Sequence, residues 1–226
     1  MPRRAYHRRI AADSSLDAAP VDAAARPPAA ERWRRINLGC GRDVRPGWLN
    51  ADRVPLAGVD VVLDLESPLP FRDGAFTEVF SSHVLEHVDR FLPLMAELHR
   101  ATAAGGRQRH VVPHLSFFGS YTDPTHRRFF GYHSFDYLSD AGDYNFYTPV
   151  RFRIVERRIC FYWINNARRR VEGRLLTWLI NRVPRFYERF VCWMLPANEV
   201  WFELEPQPLA PARGGAGRPA TPAPRA

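Results

Sequence analysis

Apolar residues alternate with short polar turns along the first half of this chain, and the spacing predicts strand after strand. Arg35-Ile36-Asn37-Leu38 sets two aliphatic positions two residues apart, as a short strand does, and runs directly into Gly39-Cys40-Gly41. Trp48 to Asp52 predicts a second strand that ends in an acid, and Val59 to Asp64 a third that ends in another. Ala75 to Phe80 predicts the fourth, after an Asp73-Gly74 turn. Helical spacing follows over Val84 to Val88 and again from Arg90 to Ala103, where Phe91, Leu94, Met95 and Leu98 share one face and form a core stripe. Ala104-Gly105-Gly106 predicts a left-handed stop to that helix. The next strand, Arg107 to Val112, is unusually polar: Gln108 and His110 fall on one side and need partners if that side is buried. Beyond Pro149, the positions Phe152, Ile154, Ile159, Phe161 and Trp163 predict a long strand or a hairpin pair, and Val200 to Leu204 a final strand. Two short apolar helices are predicted between them, one over Leu175 to Ile180 and one after Pro184 that carries Phe186, Tyr187, Phe190 and Trp193.

Composition bounds this picture. A chain of 226 residues, 46% of them hydrophobic, accommodates one domain with a sizeable core. Residues 1–30, rich in Ala, Pro and Arg without periodicity, read as a disordered tail, and so do residues 206–226. The domain is expected over residues 31–205, with a substrate-side insertion at about 113–150 and a helical cover at about 167–195. No apolar run is long enough for a membrane helix, and no apolar stretch follows the Arg-rich start as in a secretory signal. The three cysteines have no paired spacing, which suits a reducing cytoplasm and makes no zinc knuckle. The formal net charge of +8 is carried entirely by Arg, and most of it lies in the two tails, which leaves residues 36–205 close to neutral. Charge therefore gives no support to a nucleic-acid partner.

The candidate chemistry begins at the glycine turn. Gly39 and Gly41 let the backbone lie against a ligand with no Cβ between them. An acid at the end of the following strand is placed to accept hydrogen bonds from both ribose hydroxyls of a nucleoside, which makes Asp52 the ribose candidate. Only six residues separate Gly41 from Trp48, too few for a long helix. With no such helix N-terminus and no G-x-G-x-x-G, the turn suits a ligand without a pyrophosphate.

Asn37-Leu38-Gly39-Cys40-Gly41, Asp52, Asp64-Leu65 with Leu69-Pro70-Phe71, and Ser82-His83-Val84-Leu85-Glu86-His87, in this order and spacing, resemble class I S-adenosylmethionine-dependent methyltransferases, in particular the type 11 branch. The resemblance covers residues 34 to 140 and thins beyond. It implies an α/β, Rossmann-like, mostly parallel seven-stranded sheet with an antiparallel last strand and a short or missing helix after strand 1. It also implies S-adenosylmethionine as cofactor, bound at Asn37, Leu38, Gly39, Cys40, Gly41, Asp52, Asp64, Leu65, Ser82 and His83. In the family the counterparts of Asp64 and Leu65 lie beside the adenine; a strand-end cap is the competing role for Asp64.

The acceptor side is read from Pro113-His114 and the later Asp123-Pro124-Thr125-His126. By the resemblance the chain after the fifth strand opens onto the substrate. His114, Asp123 and His126 are the candidate catalytic residues, with a His accepting the acceptor's proton and a carboxylate orienting it. Asp123 as a helix or turn cap is the plainer alternative. A polar small molecule or glycan-type acceptor, methylated on oxygen or nitrogen, is the class implied. His83, Glu86, His87, His114 and His126 also suggest a metal-assisted RNA 2′-O-methyltransferase, but His83 stands where that motif carries an acid. The metal-free reading is preferred, with Glu86 and His87 tying a helix to the sheet. A catalytically silent partner subunit is a third reading, supported by the polar fifth strand and the missing helix. The Arg- and Trp-rich stretch 168–195 reads as helical cover or as a face that touches a membrane or lipid-linked acceptor, so the expected location is the cytoplasm or its membrane periphery.

Overall fold

The computed structural model describes residues 33–140, 142, 147–164 and 170–209. Most of both tails lies outside these, as do Arg168 and Arg169. Nine strands are described: β1 (Arg35–Leu38), β2 (Leu49–Asp52), β3 (Val61–Val62), β4 (Phe76–Ser82), β5 (Thr102–Pro113), β6 (Phe152–Cys160), β7 (Tyr162–Ile164), β8 (Arg170–Glu172) and β9 (Glu199–Pro206). Seven of them form one sheet in the order β3-β2-β1-β4-β5-β9-β6. Strands β1 to β5 pair in parallel, and β9 runs antiparallel to both β5 and β6. The strand order reverses at β1, so the crevice beyond the carboxyl ends of β1 and β4 is the place where an open α/β sheet takes a ligand. The expected fold class is what the sheet forms.

Register follows from burial. Leu38 pairs with Ala51 on one side and Ser81 on the other, and all three are buried. No helix follows β1 among the described residues: Cys40 N–H instead bonds straight back to Ala51 C=O at 3.0 Å. The crossover from β4 to β5 carries the one long described helix, α1 (Phe91–Ala101). Leu94, Met95, Leu98 and Ala101 are buried on the sheet, the spacing the sequence predicts. Each large side chain so buried contributes about 1.5–3 kcal/mol. Phe91 meets Phe130 and Phe135 edge-on, which fixes the insertion after β5 against the same helix.

Several boundaries differ from the sequence reading. The helix stops at Ala101, not at Gly105. Thr102 turns extended there, its hydroxyl donating to Leu98 C=O at 2.6 Å, so a side chain ends the helix before the glycine is reached. Gly105, at φ +72, bends the entry of β5. The span 84–88 holds a single turn of 3₁₀ helix, Leu85–His87, shorter than the predicted span. Only Val61 and Val62 of the third strand pair with the sheet. The later alternation is split: β6 joins the main sheet, while β7 and β8 form a separate two-stranded ribbon. The cover accordingly begins at α2 (Arg174–Ile180) and continues through α3 (Pro184–Phe186) into a wide turn over Tyr187–Val191. The domain itself extends past residue 205, because β9 reaches Pro206 and Gln207 N–H bonds to Arg151 C=O.

Candidate functional site

At the reversal point lies a groove of about 230 Å³, walled by Gly39, Asp52, Asp64, Leu65, His83 and His87 among others. Gly39 is required twice over. Its φ of +58 is left-handed, and a Cβ there would lie 2.4 Å from Val84 Cγ2. The turn after β4 is thus packed directly onto the turn after β1. Asp52 Oδ2 accepts the Gly41 N–H at 2.7 Å, and Oδ1 accepts from Val54 N–H at 2.9 Å. These two bonds aim the carboxylate and leave each oxygen a second lone pair for ribose hydroxyls. Leu63, Leu65, Val84 and Val88 supply apolar wall for a base. A glycine turn with no Cβ, an oriented acid and an apolar slot fit a nucleoside-bearing cofactor.

Not every residue expected at the cofactor reaches the groove. Asn37 and Leu38 are interior: Asn37 Nδ2 donates to Asp43 C=O at 2.7 Å and to Asn50 Oδ1 at 3.1 Å, holding the glycine turn from behind. Cys40 is buried, with its thiol pKa raised by that burial and by nearby Asp52. Gly41 and Ser82 flank the wall residues in sequence. Asp64 stands at the wall, and its Oδ1 also accepts Glu66 N–H at 3.1 Å, so the loop-capping role coexists with the groove position. Glu66 is a further residue of the groove wall that no local sequence pattern singles out. Its carboxylate accepts from the N–H groups of Asp89 and Arg90 and so ties the adenine-side loop to the start of α1.

His83 occupies a strained position, at φ +55. Its Nε2 lies 3.0 Å from Glu199 Oε1 and its Nδ1 3.3 Å from Glu86 Oε1, and both carboxylates are buried. Hydrogen bonding to Glu199, then to Glu86, pushes its pKa up to about 9 against the cost of burial, so the ring is an imidazolium at neutral pH. Nothing in the pattern around Glu199 signals this partnership, which spans more than a hundred residues of chain.

The three candidate catalytic residues separate. His114 is fully buried, with Nδ1 2.8 Å from Ser116 Oγ and Nε2 3.3 Å from Glu188 Oε1, and it packs on Tyr187. It is not part of the groove wall, and both ring nitrogens are engaged within the fold. This corrects the expectation that it lines an acceptor pocket. The reason is that the segment after β5 folds down onto a second small core around Ile159, Phe161 and Tyr187. Asp123 and His126 stay near the groove's edge, next to His87. Asp123 Oδ1 accepts from both the N–H and the hydroxyl of Thr125, which holds its pKa below the usual carboxylate value. Thr125 Oγ1 in turn lies 2.8 Å from His87 Nδ1, and the His87 and His126 rings meet edge to face at 4.7 Å.

Comparison with known proteins matches this geometry. Residues 31–108 fit the family model described as a methyltransferase domain, about a third of the chain. No curated protein matches the sequence. A SAM-dependent methyltransferase from Archaeoglobus fulgidus superposes with a TM-score of 0.51 at 16% identity, over 79% of this chain and 87% of that one. The YcgJ protein of Bacillus subtilis gives a TM-score of 0.47 at 14% identity, over 78% and 92%. A methyltransferase from Mesorhizobium loti gives 0.45 at 16%, over 79% and 93%. The matched segment runs from the glycine turn through both acids into β5, the part that builds the groove. Residues 31–108 are therefore similar to a methyltransferase domain, and β9 and β6 complete the sheet in an α/β fold shared with the Archaeoglobus protein.

Proposed function

We propose that this chain transfers the methyl group of S-adenosylmethionine to an oxygen or nitrogen of a polar small-molecule or glycan-type acceptor. The observation that carries the reading is the polar rim beside the groove, where His87, Thr125, Asp123 and His126 stand together at the open end of the cofactor wall. S-adenosylmethionine held in the groove would supply an electrophilic methyl group for direct displacement by the acceptor atom, the S–CH3 bond breaking to leave S-adenosylhomocysteine. The chain's residues have the remaining tasks. Asp52 and the glycine turn hold the nucleoside, His83 fixes the wall between them, and the His–Thr–Asp rim orients a hydroxyl- or amine-bearing acceptor and receives its proton. Much of the rate in such a reaction comes from positioning.

Two measurements test this. Calorimetric titration of S-adenosylhomocysteine into the full chain is expected to give micromolar binding, weakened about tenfold by Asp52→Ala, the loss of roughly 1.5 kcal/mol of charged hydrogen bonding. Folded protein that binds nothing would leave the silent-subunit reading in its place. A methyl-transfer screen of sugars, amines and RNA oligonucleotides then names the acceptor; transfer to RNA alone would overturn the glycan class. The polar fifth strand no longer favours a silent domain, since the buried side chains of Thr102, Gln108 and His110 are partnered.

A second surface bears on where the acceptor resides. Leu175, Trp178, Leu179, Phe186, Phe190, Trp193 and Met194 are all exposed on the cover, Met194 at 86%. Arg182 lies over the Trp178 ring and Arg189 over Phe190. Tyr121, which leads into Asp123, stacks on Phe129 and reaches Trp193, so the apolar face continues to the rim. An exposed apolar face of this extent with cationic residues suits an anionic bilayer interface. Among the described residues no helix is long and apolar enough to cross a membrane. We propose that this face docks on an anionic lipid surface and presents a lipid-linked acceptor. Sedimentation with phosphatidylglycerol vesicles is expected to carry the protein down, and Trp193→Ser with Met194→Ser to release it. Failure to sediment, or a concentration-dependent dimer that buries the face, would overturn it.

A further inference from the structure

Glu86 is the least satisfied polar side chain near the groove. It is 1% exposed, its one polar side-chain partner among the described residues is the His83 ring, 3.3 Å from Oε1, and Oε2 accepts no hydrogen bond from any described residue. A buried carboxylate in this state costs several kcal/mol unless something compensates it. Two histidines face it. Glu86, His87 and His126 each offer a donor atom, all within 4.8 Å of one another.

The hydrogen bonds behind the two rings settle which nitrogens are offered. His126 Nδ1 lies 3.0 Å from the Ser120 carbonyl oxygen, which can only accept, so Nδ1 carries the proton and Nε2 keeps its lone pair. Thr125 commits its hydroxyl proton to Asp123 Oδ1 at 2.6 Å, so it accepts from His87 Nδ1–H at 2.8 Å, and His87 Nε2 is likewise left as a base. Each imidazole is thus held through Nδ1 by an oxygen acceptor with Nε2 presented, which is how ligating histidines are oriented in metal sites. Among the described residues no hydrogen bond consumes either Nε2; the nearest charged atom to that of His126 is Asp123 Oδ2, at 3.9 Å.

We propose that Glu86, His87 and His126 bind one divalent first-row transition ion of the zinc class, with Thr125, Asp123 and the Ser120 carbonyl orienting the two rings. Two imidazoles and one carboxylate are a donor set for such ions rather than for calcium or magnesium. A tetrahedral ion with bonds of about 2.1 Å needs its ligands roughly 3.4 Å apart, so a pair at the 4.8 Å limit closes by about 1.4 Å on binding. Three protein ligands leave a coordination position for water or an acceptor atom, and His87 puts the ion at the groove's edge; with the ion bound, both imidazoles are committed to it, and a hydroxide in that position would take the acceptor's proton in their place. This departs from the metal-free reading of the sequence.

The test uses tag-free, full-length protein stripped with EDTA and titrated with Co²⁺ followed by visible absorption, with Zn²⁺ as competitor and no S-adenosylmethionine present. The expected result is one equivalent of Co²⁺ with d–d bands, displaced by Zn²⁺. Affinity should fall at least tenfold in Glu86→Gln and in His126→Gln. Thr125→Val, an exposed position that touches no ion, should cost about 10–100-fold through misorientation of His87. Far-UV circular dichroism and S-adenosylhomocysteine binding check that each variant is folded, and Thr125→Val carries the test if a ligand variant does not fold. No stoichiometric uptake, or uptake unchanged in Thr125→Val and in the folded ligand variants, would overturn the site. Because uptake is read without cofactor, its failure is distinguishable from failure of the methyl-transfer reading.

Discussion

Replacing His110 by Leu tests the most unusual feature of the sheet, the polar side chains buried in β5. Ser81 Oγ lies 2.8 Å from His110 Nδ1, and His110 Nε2 lies 3.1 Å from Gln108 Oε1. Gln108 Nε2 donates onward to Leu98 C=O and to Thr102 Oγ1. Since the Gln108 amide nitrogen is committed as donor, its oxygen must accept, and His110 is the neutral Nε2–H tautomer. Burial alone pushes the His110 pKa down to about 3 from 6.5. The folded pKa is therefore depressed below the unfolded one. Above pH 6.5 the group is neutral in both states and neutral to stability; as pH falls below 6.5 only the unfolded chain takes the proton, and stability is lost. By linkage the loss reaches about 2 kcal/mol at pH 5, at 1.36 kcal/mol per unit. His110→Leu leaves Ser81 Oγ and Gln108 Oε1 unpartnered at roughly 1–3 kcal/mol each, so it should destabilise by about 2–6 kcal/mol at pH 8. It also removes the titrating group, so the gap between wild type and variant should narrow by about 2 kcal/mol at pH 5. Urea denaturation at both pH values measures this, and titrations shared by the two proteins cancel in the difference. A gap that is the same at pH 8 and pH 5 would refute the argument, as would an NMR-detected His110 pKa near 6.5.

Three other outcomes are expected. His83, with its folded pKa raised to about 9, contributes stability that is complete below pH 6.5 and is lost as pH rises through 9. The urea midpoint of EDTA-treated protein should therefore fall between pH 7 and 9.5, by an amount reduced by solvent screening, and His83→Gln should flatten that fall. Gly39→Ala should lower stability by about 2–4 kcal/mol, from the left-handed backbone and the Val84 contact together, and Val84→Ala should recover only the contact part, as read by thermal unfolding. Glu66→Gln should weaken S-adenosylhomocysteine binding measured calorimetrically although it carries no ribose contact, because it frees the loop bearing Asp64 and Leu65 from α1.

What the sequence made legible was local. The glycine turn, the acid at the end of β2 and the apolar stripe of α1 are each written in a few adjacent residues, because φ, strand length and helical spacing are short-range properties. The need for partners around Gln108 and His110 was also legible, since alternation puts them on one side; which partners serve was not, because Ser81 comes from β4 and Leu98 from α1. His114 was misplaced for the same reason. Its Pro-His context marks the end of β5, but its burial is decided by Glu188, seventy-four residues on. The early stop of α1 was missed because a Thr side chain capped a carbonyl that the pattern assigned to a glycine further along.

His114 is better understood as a latch between the sheet and the cover. Its Nε2 holds Glu188, whose Oε1 also accepts Tyr132 N–H at 2.5 Å; burial pushes the Glu188 pKa up, and the bonds from His114 and Tyr132 outweigh it, leaving the group lowered. On the other side of the ring, Ser116 Oγ accepts from Ala197 N–H, and Tyr187 donates to Leu195 C=O. Both bonds fall just before Glu199, the residue that holds His83 at the groove. The exposed aromatic residues of the cover sit on the same short stretch, from Phe190 to Met194. A contact that moved those aromatics would therefore pull on the entry of β9 and reach Glu199 within five residues. The register of β9 against β5 offers little resistance to this, since Glu199 pairs with Pro113 at the very end of the ladder, where opening is easiest. The interior position of His114 thus places it where the exposed aromatic face and the groove wall share one segment of chain, a coupling that an acceptor pocket at His114 would not need.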